Sequence, residues 1–191
     1  MKKWMSVLTV MMMLLAAFPG AVAEEGDKET KPEKKRAEID ARSKETLDEL
    51  LAKNEKAKEL YDTAHGYAVF GNWKFAFVVS GGGGSGVAVD KATGKRTYMN
   101  MGTVGVGLGL GGKKYQVVFL FQDDKTFNGF IEKGWQADTS ATAAAGTAAA
   151  EAGTGFVNGI AIYQITDSGL MAQADVAGTK YWKDSKLNES Q

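Results

Sequence analysis

Cysteine is absent from the 191 residues of this chain, and histidine and proline are scarce, with one and two residues respectively. Without cysteine there is no disulfide framework, no thiolate nucleophile and no cysteine-ligated metal site. The single histidine, His65, excludes a metal centre built from several imidazoles, and a Ser-His-Asp arrangement would have to use that residue. The fold therefore has to be stabilised by its hydrophobic core alone.

An excess of charge of either sign is also absent, because 23 basic residues balance 23 acidic residues. A balanced chain has no overall attraction to nucleic acid or to an anionic membrane, so any such attraction has to come from a local patch. Nucleic acid is therefore not an expected partner.

The first apolar run stands at the start of the chain. Lys2 and Lys3 precede apolar residues 7–18, a stretch too short to span a bilayer, and the small residues of a cleavage site follow at 21–23. This pattern predicts a cleavable signal peptide over residues 1–23, with cleavage after Ala23. The expected location is the periplasm, with secretion as the alternative.

Charge and helical periodicity follow the predicted signal peptide. Residues 24–36 are almost entirely charged, which predicts a disordered, solvated tether. In residues 37–64, apolar residues recur at helical spacing, and Asn54 falls on their stripe, where it marks a break between two helices. Two uses of this helical segment are open: it covers the core, or it contacts a membrane or a partner. We expect residues 37–182 to form one domain and residues 183–191 to be a polar tail.

Glycine is abundant, with 24 residues, and it is concentrated between Ser80 and Lys113. In the second half of this stretch, glycine alternates with valine and leucine, which predicts a strand with one face that carries no side chains. Glycine in a strand costs about 0.5–1 kcal/mol relative to alanine, so a backbone, a ring or a ligand is expected to lie against the bare face. The glycines with this predicted structural role are Gly81, Gly82, Gly83, Gly84, Gly86, Gly105, Gly107, Gly109 and Gly111.

The remaining pattern predicts seven or eight short strands. Strands are expected at 67–70, 75–79, 87–89, 96–101 and 115–121, with turns at 71–74 and 113–114 and a helix end at Gly66. Asp123 and Asp124 are expected to cap a short helix that Gly134 closes, and residues 156–165 pair with 170–176. Residues 136–155 are open between strand and loop. The predicted class is α+β, mainly antiparallel β and barrel- or sandwich-like, with N-terminal helices and one short inserted helix.

Motifs for catalysis and cofactor binding are not convincing. Residues 81–86 and 107–112 match G-x-G-x-x-G, but strands rather than a helix are expected to follow, so no phosphate would meet a helix N-terminus. Ser85 lacks the second glycine of a nucleophile elbow, because Val87 stands there. We therefore expect neither catalysis nor a metal or cofactor.

Basic and aromatic residues suggest a lipid-binding surface. Five basic residues fall in two predicted turns that a meander would place at one end of the sheet. Trp73, Lys74, Trp135 and Trp182 supply further aromatic and basic groups near loops. Each basic group near an anionic membrane contributes about 1 kcal/mol, and indoles favour the membrane interface. The alternative is that these are ordinary solubilising turn residues. The candidate lipid-binding residues are Lys91, Lys95, Arg96, Lys113, Lys114, Trp73 and Lys74.

Several stretches together resemble the SYLF domain. Residues 64–70, Ala-His-Gly-Tyr-Ala-Val-Phe, precede the glycine loop that ends at Val87, as in that family. The second glycine run at 102–112, the hydrophobic strand at 115–121 and the aromatics at 127–130 follow in the family's order. The resemblance covers residues 47–180, with one departure at Gly71, where the family often has proline.

The resemblance implies a lipid-binding module without catalytic residues. Eukaryotic relatives bind phosphoinositides, and a fungal branch also binds actin; only association with a membrane or an anionic lipid is carried over here. We therefore predict a non-enzymatic, exported module that binds anionic lipid weakly. The alternative is an envelope protein that binds a small apolar ligand, in a cavity lined by Val104, Leu108 and Phe119, or a protein partner.

Overall fold

The computed structural model describes residues 30–76, 79–106, 111–136, 155–166, 169–171 and 179–189, with the backbone alone at 72–76, 79–81, 104–106, 111–114 and 169–171. Within these residues the helices are α1 (Lys31–Lys53), α2 (Glu55–Thr63), α3 (Asp124–Lys133) and α4 (Ser185–Asn188). The strands are β1 (Gly66–Ala76), β2 (Val79–Asp90), β3 (Arg96–Val106), β4 (Gly111–Phe121), β5 (Trp135–Gln136), β6 (Ile160–Thr166), β7 (Gly169–Met171) and β8 (Thr179–Lys183).

The eight strands form one antiparallel sheet in the order β5-β8-β3-β2-β1-β4-β6-β7. The sheet curls into a half-barrel, which gives it an inner and an outer face. The predicted class of helices with a mainly antiparallel sheet is therefore confirmed, and the sheet is a half-barrel rather than a sandwich.

Ring contacts across the half-barrel show how far the sheet curls. Tyr181 of β8 and Phe119 of β4 are separated by three strands in the order of the sheet, yet their ring centroids lie 5.1 Å apart. The Tyr181 ring also lies 4.7 Å from the ring of Phe70 on β1. The two sides of the sheet therefore meet over β2.

Glycines on β2 leave room for this meeting. Gly86 is paired with Phe70, and a Cβ atom on Gly86 would lie 2.5 Å from Phe70 Cδ1 and would collide with the carbonyl oxygen of Val69. An aromatic ring thus covers the bare position of Gly86, whereas the bare face itself was predicted for the alternating half of the glycine-rich stretch. Gly107 and Gly109, in the alternating half of that stretch, lie outside the described residues.

Local sequence signals fix the ends of the first two helices. Thr30 caps α1 in a reciprocal capping box with Glu33, so residues 31–36 of the predicted tether are helical. Asn54 ends α1 and caps α2, since its side chain accepts a hydrogen bond from the Ala57 N–H at 2.8 Å. The break predicted at Asn54 is confirmed.

The outer face of the sheet is covered by α1, α2 and α4. Leu50 is fully buried, and Ile39 and Leu47 are nearly so, which means that the apolar stripe of α1 packs on the core. On this face the sheet contributes Val69, Val87, Val89, Tyr98, Val118, Leu120, Ala161, Tyr163 and Ile165.

The inner face carries an aromatic cluster closed by α3. Asp123 caps this helix by accepting a hydrogen bond from the Thr126 N–H at 2.8 Å, and Gly134 ends it with φ +71°, as predicted. The cluster consists of Phe70, Phe119, Phe121, Phe127, Phe130, Tyr115 and Tyr181, together with aliphatic residues and the partly buried Trp135.

The turns predicted at 71–74 and 113–114 are wrong. Residues 71–74 continue β1, because Gly71 pairs with Ser85 on one side and with Gln116 on the other. Lys113 and Lys114 belong to β4, where β1 supplies their partners. Pairing on both sides of β1 outweighs the local turn preference of Gly-Asn.

The end of the chain contains a strand and a short helix, where a polar tail was predicted over residues 183–191. Tyr181 on β8 is fully buried and Leu187 on α4 is 3% exposed, so residues 179–188 complete the fold. At the start of the sheet, Gly66 opens β1 and does not end α2, whose C-cap is Ala64.

Some predictions fall outside the described residues. They include the signal peptide, most of the tether and the undecided segment over residues 137–154. The pairing of β6 with β7 confirms the last predicted hairpin as far as Met171. Among the described residues, none of the helices is long and apolar enough to cross a membrane.

Candidate functional site

Lys91 connects the turn after β2 to the end of α2 through hydrogen bonds. Its Nζ donates hydrogen bonds to the carbonyl oxygens of Tyr61 at 2.5 Å and Ala64 at 3.1 Å, and it lies 4.4 Å from the centroid of the Tyr61 ring. A lysine at a helix C-terminus satisfies free carbonyls and compensates the helix dipole. Lys91 is therefore engaged within the fold and is a poor candidate for lipid contact.

Arg96 and Lys95 lie on the same hairpin. Both residues are exposed, and Arg96 Nε also lies 3.6 Å from Asp40 Oδ2 on α1. The same carboxylate oxygen accepts a hydrogen bond from the Tyr98 hydroxyl at 3.0 Å, and burial, followed by that bond, raises the pKa of Tyr98 to about 12. Arg96 thus belongs to a polar contact between helix and sheet.

The other four candidate residues lie toward the opposite end of the strands. Trp73 is paired with Lys114 and Lys74 with Lys113, whereas the hairpin that carries Lys91 adjoins Gly66. From Gly66 to Trp73 the chain advances roughly 23 Å at 3.3 Å per residue. The expectation that the two basic groups share one end of the sheet is wrong, because register rather than turn composition sets their positions.

One row across the outer face combines two lysines, one tryptophan and two glycines. Lys180 pairs with Gly102, Gly102 with Gly83, Gly83 with Trp73, and Trp73 with Lys114. Directly opposed residues of an antiparallel sheet share a face, and strand alternation assigns these positions to the same face as Val69 and Val118. We call Lys180, Gly102, Gly83, Trp73 and Lys114 the basic row.

Arg42 of α1 contacts the outer face of the sheet next to the basic row. Its Nη2 donates hydrogen bonds to Ser85 O at 3.1 Å and Ser85 Oγ at 3.3 Å, and its Nε would lie 2.8 Å from a Cβ atom on Gly71. Burial lowers the pKa of this guanidinium, and the nearby Glu38 acts in the opposite direction. Arg42 adds a third cation beside the row.

Trp182 lies over the basic row and is the one large hydrophobic side chain that is exposed among the described residues, at 41%. Its indole would lie 3.1 Å from a Cβ atom on Gly102, so the absence of a side chain at Gly102 leaves room for the ring. Lys180, two residues earlier, is exposed. Trp182 was expected to supply an aromatic group near a loop, but neither residue was among the predicted lipid-binding residues, although the alternation in Thr-Lys-Tyr-Trp-Lys is a strand signal.

Ser85 and the single histidine do not form a Ser-His-Asp arrangement. His65 Nε2 lies 3.5 Å from both Asp90 Oδ2 and Asp124 Oδ1, and its ring lies 5.7 Å from the Phe127 ring. Ser85 is five residues along β2 from Asp90, about 16 Å away at 3.3 Å per residue, so it is out of reach of the imidazole. No metal-binding group of three or more acidic, histidine or cysteine side chains occurs among the residues described.

The proposed apolar cavity receives no support from its one described side chain. Phe119 is fully buried among the rings of Phe70, Phe130 and Trp135, at centroid distances of 5.9, 5.2 and 5.5 Å. The side chain of Val104 and the whole of Leu108 lie outside the described residues.

Two comparisons with known proteins bear on this arrangement. A family model described as "Ysc84: Las17-binding protein actin regulator" matches residues 102–191, which include β8, Lys180 and Trp182. Beta cell expansion factor A from Aeromonas veronii is 41% identical over 155 residues. That alignment covers 81% of this chain and 59% of the relative, so the chain spans less than two thirds of the relative's length.

Proposed function

Because the chain belongs to the SYLF family, we propose that it is a non-enzymatic, exported module that associates weakly with anionic lipid surfaces through the basic row. The supporting observation is that lysines and a tryptophan share one register row of the outer face, beside an exposed indole. Indoles favour the membrane interface, and each basic group near an anionic surface contributes about 1 kcal/mol.

The proposed site differs in composition from the one expected from the sequence. It keeps Trp73 and Lys114 and adds Lys180, Trp182 and Arg42. Lys91 and Arg96 are left out because each has a partner within the fold. Lys74 and Lys113 are left out because the same alternation assigns their positions to the inner face.

Export and periplasmic location are also part of the proposal, and they rest on the signal-peptide pattern of residues 1–23. Protein recovered from the periplasmic fraction should begin at Glu24, and recovery of the uncleaved chain there would contradict cleavage. The matched family model names a Las17-binding actin regulator. Because an exported protein would not share a compartment with actin, actin binding is not part of the proposal.

Sedimentation with lipid vesicles tests the lipid proposal. Residues 24–191 are mixed with vesicles of phosphatidylcholine, alone or with phosphatidylglycerol, at low and high salt. We expect binding only with phosphatidylglycerol, weakening as salt rises because exposed charges are screened. The double variant Lys114→Gln and Lys180→Gln should bind roughly thirtyfold more weakly, which corresponds to about 2 kcal/mol for two lysines.

A matched variant controls for the change in net charge. Lys125→Gln and Lys133→Gln remove the same charge from α3, which packs on the inner face. This control should bind like the unmodified protein. Equal binding to neutral and anionic vesicles at low salt, or equal weakening in both double variants, would contradict the proposed site.

A further inference from the structure

Asparagine directly precedes glycine at two places in this chain, and the fold holds the two pairs in different ways. Asn158 and Gly159 form a turn before β6, and Asn158 is exposed. Asn128 and Gly129 lie within α3. Asparagine is a thermolabile residue, and glycine after it leaves the main-chain nitrogen unobstructed by a Cβ atom. The conformation around each pair therefore decides whether its asparagine is reactive.

The turn at Asn158 leaves its neighbouring main-chain nitrogen without a hydrogen bond. Asn158 has φ +52° and Gly159 has φ +80°, the left-handed values of a type I′ turn. Val157 and Ile160 exchange hydrogen bonds across this turn at 2.9 and 3.0 Å. Among the described residues, the Gly159 N–H has no main-chain acceptor. The nitrogen and the exposed side-chain amide beside it are therefore both accessible.

The pair in α3 is restrained at both reacting groups. Asn128 Nδ2 donates a hydrogen bond to Asp124 Oδ1 at 2.7 Å. Gly129 is in the interior of the helix, where a main-chain N–H donates to the carbonyl oxygen four residues earlier. The helical hydrogen bond keeps the Gly129 nitrogen directed along the helix axis, away from the Asn128 side chain. Attack on this amide requires the helix to open locally.

We propose that Asn158 is a site of spontaneous covalent modification and that Asn128 is protected from it. The Gly159 nitrogen bonds to the side-chain carbonyl carbon of Asn158. The bond from that carbon to the amide nitrogen breaks, and this nitrogen leaves as ammonia with the proton that the Gly159 nitrogen loses through solvent. One water molecule then opens the cyclic imide at either carbonyl, which gives isoaspartate or aspartate. The site does not depend on the basic row or on lipid binding.

The isoaspartate product changes how the turn contacts the rest of the fold. The Gly159 carbonyl oxygen accepts a hydrogen bond from the Gln122 N–H at 2.9 Å, and a Cβ atom on Gly159 would lie 2.7 Å from Thr126 Oγ1 of α3. Isoaspartate routes the main chain through one additional methylene group, so a two-residue turn no longer fits these contacts. The modification therefore loosens the contact between this turn and α3, the helix that closes the inner aromatic cluster.

Incubation of the purified protein at neutral and at mildly alkaline pH tests the site. Peptide mass spectrometry measures conversion of amide to acid at each asparagine, and labelling with an isoaspartyl methyltransferase identifies isoaspartate. Conversion at Asn158 should be roughly tenfold faster than at Asn128 or more, because the Gly129 N–H is released only in locally opened states. It should also accelerate with pH, since the attacking nitrogen has to lose its proton. Equal rates at the two positions, or an unmodified Asn158, would overturn the proposal.

Two variants separate the effect of the longer main chain from the effect of the new charge. Asn158→Gly lacks the reactive amide and keeps a Gly-Gly sequence that favours the same turn type. Asn158→Asp carries the charge of the product on a main chain of normal length. After incubation, the unmodified protein should acquire a second thermal transition at lower temperature, which incubated Asn158→Gly and fresh Asn158→Asp both lack. The same transition in incubated Asn158→Gly, or in fresh Asn158→Asp, would contradict the loosening of the turn by isoaspartate.

Discussion

At the scale of single residues, Lys91 joins two parts of the chain that are distant in sequence. Its ammonium group holds the last carbonyls of α2 beside the turn between β2 and β3, and it lies over the Tyr61 ring. Hydrogen bonds to a charged group contribute about 1.5–3 kcal/mol when they are well formed. This contact therefore contributes to the docking of α2 on the sheet.

Replacement of Lys91 by methionine should lower the free energy of unfolding by about 1–2 kcal/mol, because the carbonyls of α2 lose their donor while the aliphatic contact is kept. Urea unfolding of residues 24–191 measures the change. Lys95→Met, in the same turn and exposed, should stay within about 0.5 kcal/mol of the unmodified protein. Equal effects of the two substitutions would show that the hydrogen bonds of Lys91 contribute nothing.

Sequence signals identified caps well and charge partners poorly. The cap at Asp123 and the helix break at Asn54 were predicted correctly, because both depend on residues within three or four positions along the chain, whereas the cap predicted at Gly66 was wrong. The partners of Lys91 are about thirty positions away, in α2. Contacts of that kind follow from the packing of elements, and a run of basic residues gives no indication of them.

At the scale of elements, the curl of the sheet depends on a glycine in β2. Gly86 lies under the Phe70 ring, and the rings of β1, β4 and β8 meet over this strand. A side chain at this position would force the ring of Phe70 away from Tyr181 and would press on the backbone of β1. The aromatic cluster and the curl therefore depend on the same bare position.

Gly86→Ala should destabilise the protein by about 1–3 kcal/mol, the usual cost of overpacking a core. The matched control is Gly129→Ala within α3, where a Cβ atom would meet nothing within 4 Å. Alanine in a helix interior is favoured over glycine by roughly 0.5–1 kcal/mol, so this control should be slightly stabilised. Thermal unfolding with near-ultraviolet circular dichroism of the aromatic cluster distinguishes the two; an unperturbed aromatic signal in Gly86→Ala would contradict the role of this glycine.

Strand identity was predictable for the glycine-rich stretch, while strand length and register were not. Alternation favoured strand over nucleotide loop at 104–111, where β3 extends to Val106 and β4 begins at Gly111, with residues 107–110 outside the described part of the chain. The continuous strand through residues 81–86 of β2 was not predicted. The predicted turn at 71–74 failed because Gly71 and Asn72 favour turns locally, yet two neighbouring strands pair with them. The turn predicted at Lys113 and Lys114 also failed, because both residues pair with β1.

At the scale of the whole molecule, the two faces of the sheet differ in what they expose. The outer face carries the apolar stripe of α1 near the hairpin end and the basic row beyond Arg42. The inner face is filled by aromatic rings closed by α3. Because the stripe of α1 is buried, the proposed lipid association uses the outer surface beyond the helix in this conformation, not the helix's apolar side.

The placement of the site could not be obtained from the sequence, because it depends on which residues register brings into one row. Trp73 and Lys114 are far apart along the chain and directly opposed in the sheet. Lys180 was placed next to the polar tail, and it is the register of β8 with β3 that brings it beside Gly102. Composition indicated basic and indole groups, and only the sheet order shows which of them share a surface.

Contact between Trp182 and lipid is the most direct measurement of the central claim. Tryptophan fluorescence of residues 24–191 is recorded with phosphatidylglycerol vesicles whose acyl chains carry bromine, and compared in the unmodified protein, Trp182→Phe and Trp135→Phe. The account predicts strong quenching by brominated lipid that falls markedly in Trp182→Phe and persists in Trp135→Phe, because Trp182 is exposed beside the basic row and Trp135 belongs to the inner cluster. Quenching that is unchanged by Trp182→Phe, or lost in Trp135→Phe, would contradict it.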